Sequence, residues 1–495
     1  MALIPLKLPP GVYKNGTEFE QSNRWRDASL VRWSEGSMRP VGGWTTFLAS
    51  GINAAPRGMH GWRANDASNN VAVGVWDALY YVSSSGTVTD ITPTIYGDTN
   101  TGRLDAAQNT GYGGGYYNVG SYSTPRTPTA SWLPATTWSL DNFGQNLVAC
   151  ATDDGRIYEW DVSVGGSAAL VANAPINNRG LVVTEERFLF ALGAGGNPRL
   201  IQWCDKENLT SWTPAATNEA GDIELQSSGS IRSAIRIRGR TLIITDVDAH
   251  LATYQGPPYV YGFERVGSAC GTDSPKSLVA VDQAAFWMGQ KGFFFFDGSI
   301  VKELNCEVSD HIFRDINTNQ ISKVYATHNS RFSEIWWFYA SEDSTENNRY
   351  VSYDYKDNIW MIGELSRTAA IDTGILRYPI WAGPNGELYF QEYGFNHDGA
   401  TQFVESGPIS LGNGDNIMHV TDLIPDELTQ GQVTAKFKTR FYPNGTESEF
   451  GSFTMSNPTS VRFSGRQVRM RVETTVNNDW RVGTMRIEAK AGGKR

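Results

Sequence analysis

The sequence predicts an all-β protein: a six- or seven-bladed β-propeller with an additional β-sandwich, or platform, formed near the chain ends. Helical patterns are almost absent, and the best of them is a short stretch at 305–316. Gly (51 residues) and aromatic residues (12%) are abundant, and aromatic side chains suit pleated strands while Gly suits tight turns. A strand–turn–strand unit also recurs along most of the chain.

The recurring unit is an apolar strand, a turn and a second strand that carries aromatic side chains. One aromatic from each second strand gives seven positions: Tyr80, Tyr158, Trp203, Tyr254, Phe295, Tyr353 and Tyr389. The intervals between them are 78, 45, 51, 41, 58 and 36 residues. Apart from the first, they lie near the spacing of propeller blades, about 40–50 residues. A series of β-sandwiches with similar turn spacing is the alternative, but a ring of blades leaves only short edges.

The repeat divides the chain into three regions. Residues 56–398 are predicted to form the propeller, with a Gly- and Pro-rich insertion at about 102–131 that explains the long first interval. Residues 1–55 are rich in Pro, Trp and Arg and are predicted to be an N-terminal extension packed on the platform. Residues 399–495 are predicted to form a basic C-terminal β-sandwich, because stretches such as 435–441 alternate with a period of two.

Charge is distributed unevenly along the chain. Residues 431–495 contain 12 Lys and Arg but 5 Asp and Glu, a net charge of +7, whereas residues 1–430 carry −17. A basic end on an acidic body suggests a docking surface for an acidic partner, although solvated strand faces would give the same asymmetry. The acidic body argues against general DNA binding, which requires neutralisation of phosphates. Arginines also concentrate on the strand-like stretches 231–240 and 462–471, as they do in protein interfaces.

We find no pattern that indicates catalysis, a metal or a cofactor. The six His show no metal-ligand spacing, and phosphate-loop and nucleophile motifs are absent. Asp246 and Asp248 share one strand face and could bind a cation or a sugar, but a charged strand end is the simpler interpretation. The four widely spaced Cys predict buried free thiols. We recognise no membrane span and no signal peptide.

Several segments follow one another in a recognisable order. They are the opening at 9–17, the Arg- and Trp-rich stretch at 24–44, an Arg–Gly strand leading to an apolar strand at 231–254, an aromatic run at 284–304, and the ending at 465–488. In this order of features the chain resembles the tail nozzle (also called tail hub or stabilisation) proteins of short-tailed bacteriophages, over most of its length.

The resemblance implies a virion structural protein without enzymatic activity or cofactor. Such a protein combines a propeller with a platform and forms a homohexameric tube below the portal and its dodecameric adaptor ring. The tube retains the DNA genome and conducts it during ejection, and in some members a tail needle or tail fibre protein binds below. The chain would be assembled in the host cytoplasm and reside in the virion tail.

Both arginine-rich ends of the chain are predicted to dock on the adaptor or on a neighbouring subunit, because Arg and Trp are enriched at interface hot spots. The predicted contact residues are Arg24, Trp25, Arg26, Arg32, Trp33, Arg466, Arg469, Arg471, Arg481 and Arg486.

Two other interpretations remain open at this point. One is a carbohydrate-binding or glycosidase-type propeller that recognises a host receptor, since Trp and Tyr on propeller loops could stack on sugars. The chain lacks the repeated Ser-x-Asp-x-Gly-x-Thr-Trp box of sialidase-type propellers. The other is a tail protein of a longer-tailed phage.

Overall fold

Strands make up nearly all the regular structure in the computed structural model, which describes residues 2–96, 102–108, 132–410, 416–442 and 445–493. The described part contains one α-helix, Ser309–Asp315, inside the stretch where the sequence predicts one. It also contains two 3-10 helices, Ala194–Gly196 and Thr318–Lys323. The predicted insertion at about 102–131 lies outside the described residues apart from its first part, 102–108.

Seven antiparallel sheets of four strands each follow one another through the described residues. Blade 1 consists of Gly58–Arg63, Asn69–Gly74, Leu79–Ser83 and Val88–Asp90, blade 2 of Trp138–Phe143, Asn146–Ala151, Ile157–Trp160 and Ala169–Leu170, blade 3 of Gly180–Val183, Leu189–Leu192, Leu200–Trp203 and Gly221–Glu224, and blade 4 of Ile231–Ile237, Arg240–Thr245, Asp248–Gly256 and Val260–Ser268. Blade 5 consists of Leu278–Val281, Ala284–Met288, Phe293–Phe296 and Val301–Leu304, blade 6 of Tyr325–Asn329, Glu334–Tyr339, Arg349–Asp354 and Ile359–Glu364, and blade 7 of Ala369–Ile371, Ile380–Ala382, Leu388–Gln391 and Trp44–Leu48. All seven aromatic positions of the sequence repeat lie on third strands, so the predicted propeller is confirmed.

The ring of blades is closed by the N-terminal segment. First strands of consecutive blades contact one another, and the first strand of blade 7 contacts that of blade 1. The outer strand of blade 7, Trp44–Leu48, pairs antiparallel with Leu388–Gln391. The segment 1–55 is therefore not only an extension on the platform: it completes the last blade of the propeller.

Aromatic side chains fill the spaces between neighbouring blades. Between blades 1 and 2, Trp138 is fully buried and its Nε1 donates to the carbonyl oxygen of Val75 at 2.6 Å. Gly74 lies so close beneath this indole that a Cβ there would stand 2.3 Å from the ring. A side chain at this position would displace Trp138, so the contact between the two blades requires glycine.

The platform is a sandwich of two sheets. The larger sheet contains, in spatial order, Trp25–Ser29, Gln402–Ser406, Gln467–Thr474, Thr434–Arg440 and Ser448–Thr454, with Ile409–Ser410 paired to Gln467–Thr474. The smaller sheet contains Ala2–Pro5, Arg486–Ala491, Met418–Ile424 and Thr459–Gly465. Burial alternates along the strand Gln467–Thr474, which confirms the predicted period of two. The additional β-sandwich near the chain ends is thus present.

One continuous core joins the platform to the propeller. Platform residues such as Met470 and Phe463 belong to the same buried cluster as Phe293 and Trp337 of blades 5 and 6. A hairpin of Val31–Ser34 and Ser37–Pro40 lies at this junction, and its Met38 exchanges backbone hydrogen bonds with Val482. The remaining described strands, Ala107–Gln108 and Trp132–Leu133, pair with each other.

Candidate functional site

Three of the ten predicted contact residues are buried inside the chain. Trp25, Arg32 and Trp33 are 4%, 1% and 6% exposed. The two indoles lie 6.3 Å apart, between ring centroids, in the core that joins the platform to the propeller. The expectation that these three side chains contact another subunit is therefore wrong, because this chain already covers them.

Arg32 is the centre of a buried ion network. Its guanidinium donates to Glu334 at 2.9 Å and to Glu392 at 3.0 Å, and the ring of Phe332 lies 3.7 Å away. Asn329 donates to Glu392 at 2.9 Å. Burial raises the pKa of Glu334 to about 7, since Arg32 offsets only part of the effect and the charge of Glu392 adds to it. The network joins the N-terminal hairpin to blades 6 and 7, so its role is structural.

The outer face of the larger platform sheet carries interleaved charges. Arg469 binds Glu447 at 2.8 Å and also pairs with Glu405. Arg471 binds Glu473 at 2.7 Å. Both arginines are partly buried and hold acidic residues of their own chain. Their first effect is thus to stabilise this sheet.

Of the other predicted contact residues, Arg26 lies beside Arg469, because both bind Glu18, whereas Arg24 and Arg481 bind carboxylates elsewhere. Arg24 binds both carboxylate oxygens of Glu307 at 2.7 Å, Arg26 binds Glu18 at 2.8 Å, and Arg481 lies 3.4 Å from Asp479. Arg486 is exposed on the smaller sheet, and Arg466 lies at one end of the larger sheet. The structure therefore does not bring the ten residues together on one surface.

Three exposed aromatics lie near the end of the larger sheet where Arg466 stands, and we call Phe19, Phe441, Tyr442 and Arg466 the platform-end patch. The guanidinium of Arg466 stands 5.3 Å from the ring centroid of Tyr442. Phe19 and Tyr442 are each 65% exposed, and Phe441 is 44% exposed. Phe19 follows Glu18 in the sequence, and Arg440 directly precedes Phe441. Glu18 and Arg440 form an ion pair of 2.9 Å, which brings the two segments together. The sequence patterns did not predict these exposed aromatics. The adjacent pair Phe441 and Tyr442 interrupts the alternation of a strand and could have indicated them.

The propeller has a central cavity of about 580 Å³, lined by the first strands of all seven blades. The arginine-rich stretch 231–240 supplies two of its charges, Arg232 and Arg236. Arg232 lies 3.0 Å from Asp246, and Arg236 lies 3.6 Å from Asp141. These two arginines therefore face the cavity of this chain, not the protein interface that the sequence suggested.

Lys276 lies beside these arginines, just before the first strand of blade 5. Within the described residues, its amine has no hydrogen bond and no ion pair. Burial lowers its pKa to about 8, and the charge of Asp141 opposes this shift only in part. Burial also lowers the pKa of His60 across the cavity, and the charge of Asp141 and the hydrogen bond to Asn142 oppose this shift in part. Around the cavity, the cations Arg232, Arg236 and Lys276 are therefore matched in number by the carboxylates of Asp141, Asp246 and Asp372.

Neither a metal cluster nor a membrane-spanning helix is found in the described ranges. No group of three or more His, Cys, Asp or Glu there could hold a metal ion. No helix in the same part of the chain is long and apolar enough to cross a membrane. The carboxylates Asp246 and Asp248 are occupied internally, the first by Arg232 and the second by Thr245 and Ser227. All four Cys are buried free thiols.

No family model and no curated protein matches the chain. Among solved structures, it is similar to a streptogramin B lyase, with a TM-score of 0.42 and 10% identity over 70% of this chain and 96% of that one. The WD40 domain of Neurospora crassa Pan2 matches with a TM-score of 0.40 and 7% identity over 72% and 95% of the two chains. Virginiamycin B lyase from Staphylococcus aureus matches with a TM-score of 0.39 and 9% identity over 68% and 96%. At these scores the similarities carry no argument about activity, and the fold class stands on the strand topology.

Proposed function

We propose that this chain is a structural protein of a bacteriophage tail, the nozzle or hub of a short-tailed phage. In this role it forms a homohexameric tube below the dodecameric adaptor ring, retains the genome in the virion and conducts it during ejection. The observation that supports the proposal most is the platform. Segments near both ends of the sequence form it together, and it packs on the propeller. This is the arrangement that the sequence resemblance implies. The proposed role is not catalytic.

The platform-end patch is the proposed docking surface, and its proposed occupant is the adaptor ring. Exposed Tyr and Phe beside a partly exposed Arg have the composition of interface hot spots. Tyr442 and Phe441 extend from the end of a platform strand, Thr434–Arg440, and are not covered by the propeller. Residues 431–495 carry a net charge of +7, which favours an acidic surface on the adaptor.

The acidic remainder of the chain suits a conduit for DNA. Residues 1–430 carry a net charge of −17. DNA binds proteins when cationic side chains neutralise its phosphates and release the counterions that surround it. An acidic wall does neither, so DNA gains no affinity for it. This argument supports passage of the genome without retention by binding along the wall.

Electron microscopy of the purified chain, alone and mixed with the adaptor ring of the same virion, tests the proposal. We expect sixfold tubes on the adaptor, with an open central channel. A chain that stays monomeric in both samples and binds host polysaccharide would overturn the proposal and support the carbohydrate-binding alternative.

A pair of variants tests the docking surface. Replacing Phe441 and Tyr442 together by serine is expected to weaken binding to the adaptor about tenfold or more, because two hot-spot side chains are lost. The matched control is Tyr259→Ser, which removes an aromatic that is 78% exposed on a loop of blade 4. Equal losses in both variants, or none in the double variant, would remove the patch from the interface.

A further inference from the structure

The outer surface of the smaller platform sheet carries cations that have no partner in their own chain, and we call it the basic face. Arg462, Arg486 and Lys490 point outward from its strands and are exposed. Lys7, just beyond the edge strand Ala2–Pro5, is exposed beside them. Within the described residues, none of these four side chains has an ion pair. Four positive charges of the basic face are therefore available to a partner.

Two carboxylates on the basic face do not balance these charges. Asp422 and Glu488 are half-buried, lie opposite each other in register and form no ion pair in the described part of the chain. The larger sheet differs, because each lysine and arginine on its strands Thr434–Arg440 and Gln467–Thr474 lies within 3.5 Å of a carboxylate of the same chain. The unpaired cations are thus a property of the basic face and not of the platform as a whole.

Blades 1 and 2 of the propeller carry the opposite charge. Residues 58–90 and 138–170 contain two arginines, no lysine and eight Asp and Glu, a net charge of −6. Asp66, Asp77 and Asp90 of blade 1 are exposed, and they have no ion pair among the residues that the structure describes. These two blades therefore present negative charge that their own chain leaves uncompensated.

The two charged surfaces belong to opposite parts of the subunit. The platform shares its core with blades 5 and 6, and its strand Trp25–Ser29 contacts the outer strand of blade 6, Ile359–Glu364. In a closed ring of seven blades, blade 2 lies opposite this junction, and blade 1 is its neighbour. The basic face and the acidic blades therefore do not meet within one chain, but a head-to-tail contact between two copies brings them together.

We propose that the basic face of one subunit docks on blades 1 and 2 of a second copy of this chain. The inference rests on the proposed function, which requires a ring of identical subunits, and it names the surfaces that hold this ring together. A contact between two different surfaces repeats by rotation and can close into a ring. Complementary charges favour this head-to-tail contact and disfavour the reversed one, in which like charges would meet.

Charge reversal with rescue tests this contact in the full chain, by analytical ultracentrifugation and electron microscopy at low salt. The basic-face variant carries Arg462→Glu, Arg486→Glu and Lys490→Glu, the blade 1 variant carries Asp66→Lys, Asp77→Lys and Asp90→Lys, and the exchange variant carries all six. We expect each triple variant to weaken ring assembly about tenfold or more, because attraction becomes repulsion at several pairs. The exchange variant should recover most of the assembly, since its two surfaces are complementary again. The matched control reverses three exposed cations of blades 3, 5 and 6, Lys206, Lys291 and Lys356, and should assemble as the unaltered chain does.

The outcomes separate this inference from the proposed function. Sixfold rings of the unaltered chain, alone or on the adaptor, that form equally well with the basic-face variant would overturn the inference and leave the proposed function standing. An exchange variant that assembles no better than the basic-face variant would also overturn it, because the basic face would then bind another acidic surface, such as the adaptor. An unaltered chain that stays monomeric with and without the adaptor would instead overturn the proposed function itself.

Discussion

Replacing Glu334 by glutamine is expected to stabilise the protein at alkaline pH relative to the unaltered chain. Glu334 and Glu392 lie on either side of Arg32 and share its single positive charge, and each carboxylate is about 2% exposed. Burial raises the pKa of Glu334 from 4.5 to about 7. A glutamine keeps the shape of the protonated acid and its acceptor oxygen for Arg32, but it never ionises.

The size of the effect follows from the two pKa values. The folded state favours the protonated form of Glu334. The stability that this preference contributes is fully present below pH 4.5, the pKa of the carboxyl group in the unfolded chain. This contribution decreases as the pH rises and is lost through pH 7, where Glu334 ionises in the folded state. A shift from 4.5 to about 7 corresponds to about 3 kcal/mol, of which about 2 to 3 kcal/mol is lost between pH 5 and pH 8. The variant lacks this loss.

Urea unfolding of both proteins at pH 5 and pH 8 measures the difference. The free energy of unfolding of Glu334→Gln minus that of the unaltered chain should increase by about 2 to 3 kcal/mol from the lower to the higher pH. The control is Glu364→Gln on the outer strand of the same blade, whose carboxylate is 70% exposed and whose difference should stay constant. A constant difference for Glu334→Gln would refute the reasoning, because Glu334 would then be ionised throughout.

Three further variants test the fold. Trp44→Ala, in the closing strand, is expected to lower the free energy of unfolding by about 3 to 4 kcal/mol, because it opens a cavity beside His397; urea unfolding with a loss under about 1 kcal/mol would contradict this. Gly386→Ala should lower the thermal midpoint, because φ is +88° there and a Cβ would stand 2.2 Å from the carbonyl oxygen of Ile52; an unchanged midpoint would refute that strain. Arg469→Gln should cost about 2 kcal/mol in urea unfolding at pH 7, since three carboxylates lose a shared cation. An unchanged free energy of unfolding would refute the assignment of Arg469 as their shared cation.

The propeller was predictable because its signals are local. Each third strand, such as Phe293–Phe296 or Leu388–Gln391, is a short aromatic run next to turn residues, and these runs recur at blade spacing. Closure of the ring was not predictable in this way. Trp44–Leu48 pairs with a strand more than 300 positions later, and no local sequence pattern predicts such a pairing.

The site was less predictable than the fold, because arginine alone does not show its partner. Arg32 was expected at an interface, but its partners Glu334 and Glu392 lie far along the chain, and only the folded structure brings them to it. Arg236 was likewise expected in a protein contact and lies in the cavity of the propeller. By contrast, Arg466 is beside exposed aromatics, where the composition argument applies.

The strand that completes blade 7 has a consequence for synthesis. The ribosome makes Trp44–Leu48 early, but its partner Leu388–Gln391 emerges only after six other blades have been translated. The early strand therefore waits with an open edge, and the platform strand Trp25–Ser29 waits for Gln402–Ser406 in the same way. The propeller can close once Leu388–Gln391 has been made, whereas the platform is complete only with its last strand, Arg486–Ala491. An incomplete chain would therefore lack a finished platform, so in the proposed tube only a fully folded subunit could be incorporated.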